Sequence, residues 1–278
     1  MPTALAHIYS EEGFVIAGDG NHHFRVSPNE RRLISDHVQK ILHLPGADRE
    51  VVCSFFGRVT LANDADERVF NFVSACCDAA EKTASQTVET ADEWGELIGP
   101  HIVESLSSVK QRGELSHDPS PVSAESGKLG RTLISVFVDG YVCEEPSRTE
   151  IRFYHRHQDF DWQVGGSHDL SAWRKSRFYG SPRVEDLLFK TDDSRFDKYR
   201  NEACRRVAKR HVSNPAITIR LSDAVDAARS FIQACCDPMA REIERDDYQR
   251  IGGQLQLATI TPADGFQWVE RPEVFDQL

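Results

Sequence analysis

The distribution of short apolar runs along this chain constrains its fold more than any other sequence feature. The first sixty residues contain four such runs bounded by polar turns, which is typical of strands: ALAHIY, FVIAG, QKILHL and VVCSFFG. The polar stretch SEEG, which ends in Gly13, predicts a hairpin between the first two. The chain closes with QLQLATITPADGFQWVE, which predicts a strand, a turn and a strand. We therefore expect strands at both ends of the chain.

Helical spacing dominates several of the segments in between. Apolar residues from Val69 to Ala80 recur at helical intervals, which predicts a helix from Asn63. A second helix is expected over ADEWGELIGPHIVESLSSV, bent at Gly99-Pro100. A long helix is predicted over LSDAVDAARSFIQACCDPMAREIERD, with Ser222 as its N-cap. RTLISVFVDGY and TEIRFYH predict a further pair of strands between these helices. This order suits two sheets packed face to face, with helices on both outer faces.

Composition narrows the class of protein. The 278 residues suit a single large domain, 1–278, and the Ser-, Pro- and Gly-rich segment near 109–130 predicts a flexible insertion. A formal net charge of −11 argues against nucleic-acid and anionic-membrane partners. No apolar run approaches the roughly 18 residues of a membrane span. The seven cysteines show no CxxC spacing, so we expect reduced thiols in a cytoplasmic protein.

The opening residues carry a resemblance to a known family. Thr3 is followed by ALAHIY, the turn SEEG and FVIAGD, which ends in Asp19, and Lys40-Ile41 opens the next strand. Near the other end, ERDDYQRIGGQLQLATITPADGF gives a helix end, the pair Gly252-Gly253 and a strand. These features resemble proteasome β-type subunits, which are N-terminal-nucleophile (Ntn) hydrolases. The resemblance covers roughly the first eighty and last sixty residues, and implies an α+β fold, the four-layer αββα sandwich.

The resemblance also implies a mechanism and its residues. Thr3 would supply the nucleophilic hydroxyl, and its own α-amine the general base. Lys40 would lower the pKa values of both groups, and Asp19 would orient and compensate Lys40. The backbone N–H of Gly57 would stabilise the oxyanion, and Asp247 would support the amine. The implied substrate is a peptide or small amide, with no cofactor, in a homo-oligomer that forms a ring.

Some positions leave alternatives open. Met1-Pro2 precede Thr3, so the threonine amine is free only after both are removed. The supporting serine of the family matches either Ser167 or Ser181, and Arg250-Ile251 stand where a second supporting serine would be. A catalytically silent scaffold or ring subunit is therefore the alternative function, and a hydrolase acting on a small amide is a third.

Other candidate groups have ordinary explanations. The adjacent histidines His22-His23 lack the spacing of a metal site, so no metal is expected. Asp246-Asp247 are explained by a charged helix end, and the basic stretch from Arg205 to Arg210 by one face of a helix. The adjacent cysteine pairs Cys76-Cys77 and Cys235-Cys236 are expected to be small core residues.

Overall fold

A computed structural model describes most of the chain. The described residues are 3–27, 30–35, 38–46, 48–63, 67–115, 131–156, 159–165, 170, 176–191, 194–212, 214, 216–244 and 251–273. They form a mixed helix-and-strand structure with antiparallel sheets, as the sequence predicts.

The strands and helices follow one another in alternating groups. The strands are β1 (Leu5–Tyr9), β2 (Phe14–Gly18), β3 (His22–Ser27), β4 (Glu30–Ser35), β5 (Ile41–Pro45), β6 (Arg49–Gly57), β7 (Thr60–Ala62), β8 (Arg68–Asn71), β9 (Arg131–Val142), β10 (Glu145–Arg156), β11 (Asp159–Gly165), β12 (Ser176–Tyr179), β13 (Gln256–Thr261) and β14 (Gly265–Glu270). The helices are α1 (Phe72–Lys82), α2 (Ala91–Gln111), α3 (Pro182–Phe189), α4 (Glu202–Val212), α5 (Leu221–Cys236) and α6 (Pro238–Ile243), with a 3-10 helix at Ser194–Tyr199.

Ten of these strands form two five-stranded sheets. Sheet one has the order β12-β1-β2-β13-β14, and sheet two the order β11-β10-β9-β6-β5. The predicted hairpins β1–β2 and β13–β14 are both antiparallel and lie side by side in sheet one. The predicted strands β5, β6, β9 and β10 are neighbours in sheet two. The apolar runs at both ends of the chain therefore meet in one sheet.

Three apolar clusters hold the sheets and helices together. One packs α1 and α2 against sheet two, and another packs α3, α4 and α5 against sheet one. The third contains residues of both sheets: Phe14, Ile16, Ile41, Val52, Tyr141, Ala258 and Ile260. Burial of this apolar surface is the dominant favourable contribution to folding.

The sequence predicted the wrong first residue for the helix expected from Asn63. The β7–β8 hairpin occupies the first part of that segment, and α1 begins only at Phe72. The Asn71 side chain accepts a hydrogen bond from the Val73 N–H at 2.9 Å and caps the helix there. Asparagine is a preferred N-cap because its side-chain oxygen satisfies a free N–H of the first turn.

The predicted long helix before the C-terminal strands is also different. It begins at Leu221 with Arg220 as its N-cap, so Ser222 does not cap it. It ends at Cys236, where Asp237 is extended and accepts a bond from the Met239 N–H to start α6. A residue that precedes proline favours extended backbone, which explains the break before Pro238.

Other segments extend the sequence prediction. The polar region after Gly20 forms the hairpin β3–β4, which no apolar pattern indicates. Helix α2 continues through Pro100, and most of the predicted insertion, 116–130, lies outside the described residues. No helix in the described ranges is long and apolar enough to cross a membrane.

Candidate functional site

Thr3 lies at the start of sheet one, two residues before β1, and is 1% exposed. The turn between β12 and α3 lies against it: a Cβ atom on Gly180 would stand 1.7 Å from the Thr3 carbonyl oxygen. Gly180 also has a φ of +96°, a conformation that favours glycine. Glycine therefore allows this turn to approach the main chain at Thr3.

Asp19 and Lys40 form a fully buried ion pair beside this segment. The Lys40 Nζ lies 2.8 Å from Asp19 Oδ1, and the two residues are 1% and 0% exposed. The same carboxylate oxygen accepts the N–H of Ala4 at 2.9 Å, and Oδ2 accepts the N–H of Gly252 at 3.2 Å. The Lys40 ammonium is therefore joined, through one oxygen atom, to the peptide bond that follows Thr3.

Gln256 holds the backbone that leads into this lysine. Its side-chain oxygen accepts the N–H of Lys40 at 2.8 Å, and its Nε2 donates to the Val38 carbonyl at 2.6 Å. Gln256 is fully buried at the first position of β13, so both bonds are made away from water. The sequence offers one indication of Gln256: it is a polar residue inside the apolar run QLQLATI.

Gly57 lies at the end of β6, on the strand that pairs with the Lys40 segment. The Phe55 N–H donates to the Lys40 carbonyl at 3.1 Å, and Gly57 is two residues further along. Its φ is +123°, and a Cβ atom there would stand 2.8 Å from the Leu133 carbonyl oxygen. Close packing on β9 is thus a sufficient reason for glycine, and the oxyanion role stays a prediction.

Ser181 follows Gly180, so it lies next to the turn that touches Thr3. Its hydroxyl donates to Glu244 Oε1 at 2.7 Å, and the same oxygen accepts the N–H groups of Arg183 and Val184 at 2.8 and 3.0 Å. Glu244, which is 5% exposed, therefore anchors the first turn of α3. No sequence pattern singles out this carboxylate, because only folding brings it to Ser181.

The remaining candidates fall outside the part of the chain that the structure describes. Asp247 and Ser167 lie outside those residues, as do the side chains of His22-His23. Among the positions that the structure describes, no group of three or more His, Cys, Asp or Glu side chains could hold a metal ion.

The charges of the ion pair act on the pKa of the Cys236 thiol. Burial raises its pKa to about 12, with a further increase from Asp19 and an opposing decrease from Lys40. Burial likewise raises the pKa of Cys235 well above its usual value. Both thiols are therefore protonated at neutral pH and are poor nucleophiles, since the thiolate is the reactive form.

No family model and no curated protein matches the chain. Similar solved structures include a Gly-1 mutant of Anbu from Hyphomicrobium sp. strain MC1, at 13% identity and a TM-score of 0.48, covering 97% of this chain and 87% of that one. Anbu from Yersinia bercovieri, described as an ancestral beta-subunit, has 10% identity, coverage of 96% and 87%, and a TM-score of 0.47. A second Hyphomicrobium Anbu structure has 11% identity, coverage of 96% and 85%, and a TM-score of 0.45.

Proposed function

We propose that this chain is a proteasome-like N-terminal-nucleophile hydrolase with a four-layer αββα fold. It would cleave peptide or small amide bonds with Thr3, once the residues that precede Thr3 are removed. The apolar clusters support the layer order, because α1 and α2 pack on sheet two, α3 to α5 pack on sheet one, and a third cluster contains both sheets.

The buried Asp19–Lys40 pair is the observation that carries the proposal. Removing two charges from water costs several kcal/mol each, and apolar residues of similar size would often stabilise a fold as well or better. This pair is fully buried, and its shared oxygen also holds the N–H of Ala4, directly after Thr3. A costly charge pair beside one particular residue is better explained by chemistry at that residue than by stability.

The proposed reaction uses groups that a mature Thr3 would carry itself. Its hydroxyl oxygen attacks the substrate carbonyl carbon, and the hydroxyl proton passes to the free α-amine, whose pKa near ~7.7–8.0 suits a base at neutral pH. The positive charge of Lys40 favours the developing alkoxide. The Gly57 N–H would stabilise the oxyanion of the tetrahedral intermediate.

The intermediate then collapses in the usual way for acyl transfer. The substrate C–N bond breaks, and the ammonium of Thr3 returns the proton to the leaving amine. This leaves an ester between the substrate acyl group and the Thr3 oxygen. A water molecule, deprotonated by the same amine, hydrolyses that ester and restores the hydroxyl.

N-terminal sequencing and intact mass of the protein from its native host test the proposal first. A chain that begins at Thr3 and hydrolyses fluorogenic peptide amides supports it, provided that Thr3→Ala abolishes turnover and Thr3→Ser retains part of it. Thr259→Ala is the matched control, because Thr259 is also a buried threonine of sheet one, within β13. A chain that keeps the residues before Thr3 and shows no turnover contradicts the α-amine mechanism.

A catalytically silent scaffold of the same architecture is the second candidate. The observation that favours it is the 1% exposure of Thr3, together with the commitment of the Ser181 hydroxyl to Glu244. A scaffold would keep its sheets and its assembly when Thr3 is replaced, and would never release an amine from an amide substrate. Turnover by the wild-type chain therefore separates the two candidates.

A further inference from the structure

A second buried set of polar side chains lies between the two sheets. The His7 Nδ1 lies 2.5 Å from Asp139 Oδ2, and the Ser54 Oγ lies 3.2 Å from His7 Nε2. Arg148 Nε donates to the other oxygen of Asp139. Ser54, His7 and Asp139 thus stand in the order of a hydrolytic triad. Each of these three residues is 1% exposed.

The way these residues are distributed over the sheets points to a different role. His7 belongs to β1 of sheet one. Its three network partners all belong to sheet two: Ser54 on β6, Asp139 on β9 and Arg148 on β10. Both ring nitrogens of His7 are therefore bonded to the opposite sheet.

The bonding pattern assigns a neutral imidazole. Nδ1–H donates to the Asp139 carboxylate. Nε2 therefore carries no proton and accepts a hydrogen bond from the Ser54 hydroxyl. The charged groups that act on the ring are Asp139, Arg148 and Arg177. Burial has the largest effect and lowers the pKa of His7; Asp139 raises it, both arginines lower it, and the resulting pKa lies below the usual value. The ring keeps one donor and one acceptor at neutral pH.

The candidate catalytic groups are also divided between the sheets. Thr3 and Asp19 flank strands of sheet one, whereas Lys40 immediately precedes β5 and Gly57 ends β6, both of sheet two. Apolar contacts between the sheets are non-directional and fix their sliding position poorly. Directional hydrogen bonds fix it better. His7 is four residues from Thr3 along β1, or about 13 Å at the rise of a strand.

We propose that His7 is a positioning residue for the threonine reaction: its bonds to Ser54 and Asp139 fix the register of sheet one on sheet two. This register holds Thr3 at the separation from Lys40 and Gly57 that attack and oxyanion stabilisation need. The inference rests on the proposed function, yet the register itself is measurable without a substrate.

The variant His7→Phe tests the inference while leaving no charge unpaired, because Asp139 keeps Arg148. We expect the Ala4 amide, which is bonded to Asp19, to exchange its hydrogen at least about tenfold faster at neutral pH, a larger increase than for the amides of α1 and α5. In the mature chain kcat should fall about 100-fold, the effect of a misplacement near 1 Å, with KM nearly unchanged. The glutamine amide of His7→Gln can donate one hydrogen bond and accept another. This variant should therefore recover part of the slow Ala4 exchange and part of kcat.

His43→Phe is the matched control. His43 stacks on Phe266 of sheet one, a contact that phenylalanine keeps, and its hydrogen bond goes to Glu50 within sheet two. The change therefore removes a histidine hydrogen bond that lies within one sheet. It should leave Ala4 exchange as in the wild type. The inference would be overturned if Ala4 exchanged in His7→Phe at the wild-type rate, or if its exchange accelerated equally in both variants. If the mature wild type hydrolyses no amide, the proposed function fails, while the exchange comparison still decides the role of His7.

Discussion

Replacing Lys40 by methionine tests the energetics of the buried pair. The change removes the ammonium and leaves the Asp19 carboxylate fully buried with two backbone N–H donors, those of Ala4 and Gly252. At 2.8 Å and an effective dielectric constant of 20, the lost attraction is about 6 kcal/mol before desolvation is considered. Measured losses on breaking such pairs are about 3–5 kcal/mol. We therefore expect Lys40→Met to lower the free energy of unfolding by that smaller amount.

A double-mutant cycle isolates the pair from its surroundings. Asp19→Asn keeps an oxygen for the Ala4 N–H, and the bond it loses to Gly252 is lost equally in the single and the double variant. The double variant Asp19→Asn/Lys40→Met should therefore be much more stable than the sum of the two single losses implies. Chemical denaturation at neutral pH measures all four free energies. Purely additive losses would contradict our account of the pair as a coupled, desolvated unit.

Two further predictions follow from the packing around Thr3 and from His7. Gly180→Ala should lower the free energy of unfolding by about 2–4 kcal/mol, because the new Cβ atom strains the backbone and displaces Thr3. Chemical denaturation measures this loss, and a variant as stable as the wild type would contradict the close approach at this turn. Because the pKa of His7 is lowered in the folded state, the unfolded chain binds its proton first as the pH falls below the usual value of 6.5. Stability should then decrease by up to about 1.4 kcal/mol per pH unit until the folded-state pKa is reached, and be unaffected by this group above pH 6.5. His7→Phe should flatten that part of the pH–stability curve, and an unchanged slope would show that other groups cause it.

Local sequence patterns determined most of the strands. FVIAG is apolar throughout, and LAHIY is apolar apart from His7. The turn between them contains Gly13, so their pairing follows from adjacent residues alone. The terminal pair β13–β14 follows in the same way from the turn PADG. Helix limits were less well determined. Asn71 and Pro238 set them through capping and backbone sterics, whereas apolar spacing alone suggested a start at Asn63 and one unbroken helix.

The sequence alone also supplied Thr3, Asp19 and Lys40 as candidates, through the resemblance to proteasome β-type subunits that their order along the chain supports. Tertiary structure decided which atoms meet: it joined Asp19 to Lys40 across 21 positions, and brought Gln256 to Lys40 across 216. It also brought the Glu244 carboxylate to the Ser181 hydroxyl and bonded the His7 ring to residues of the opposite sheet. No local pattern encodes such contacts, because they depend on how the two sheets stack. Burial then makes an unpaired polar group costly, which favours arrangements in which these groups are bonded to one another. The sequence thus determined most of the strands and the candidate nucleophile, and the packing of the sheets decided the surroundings in which that nucleophile lies.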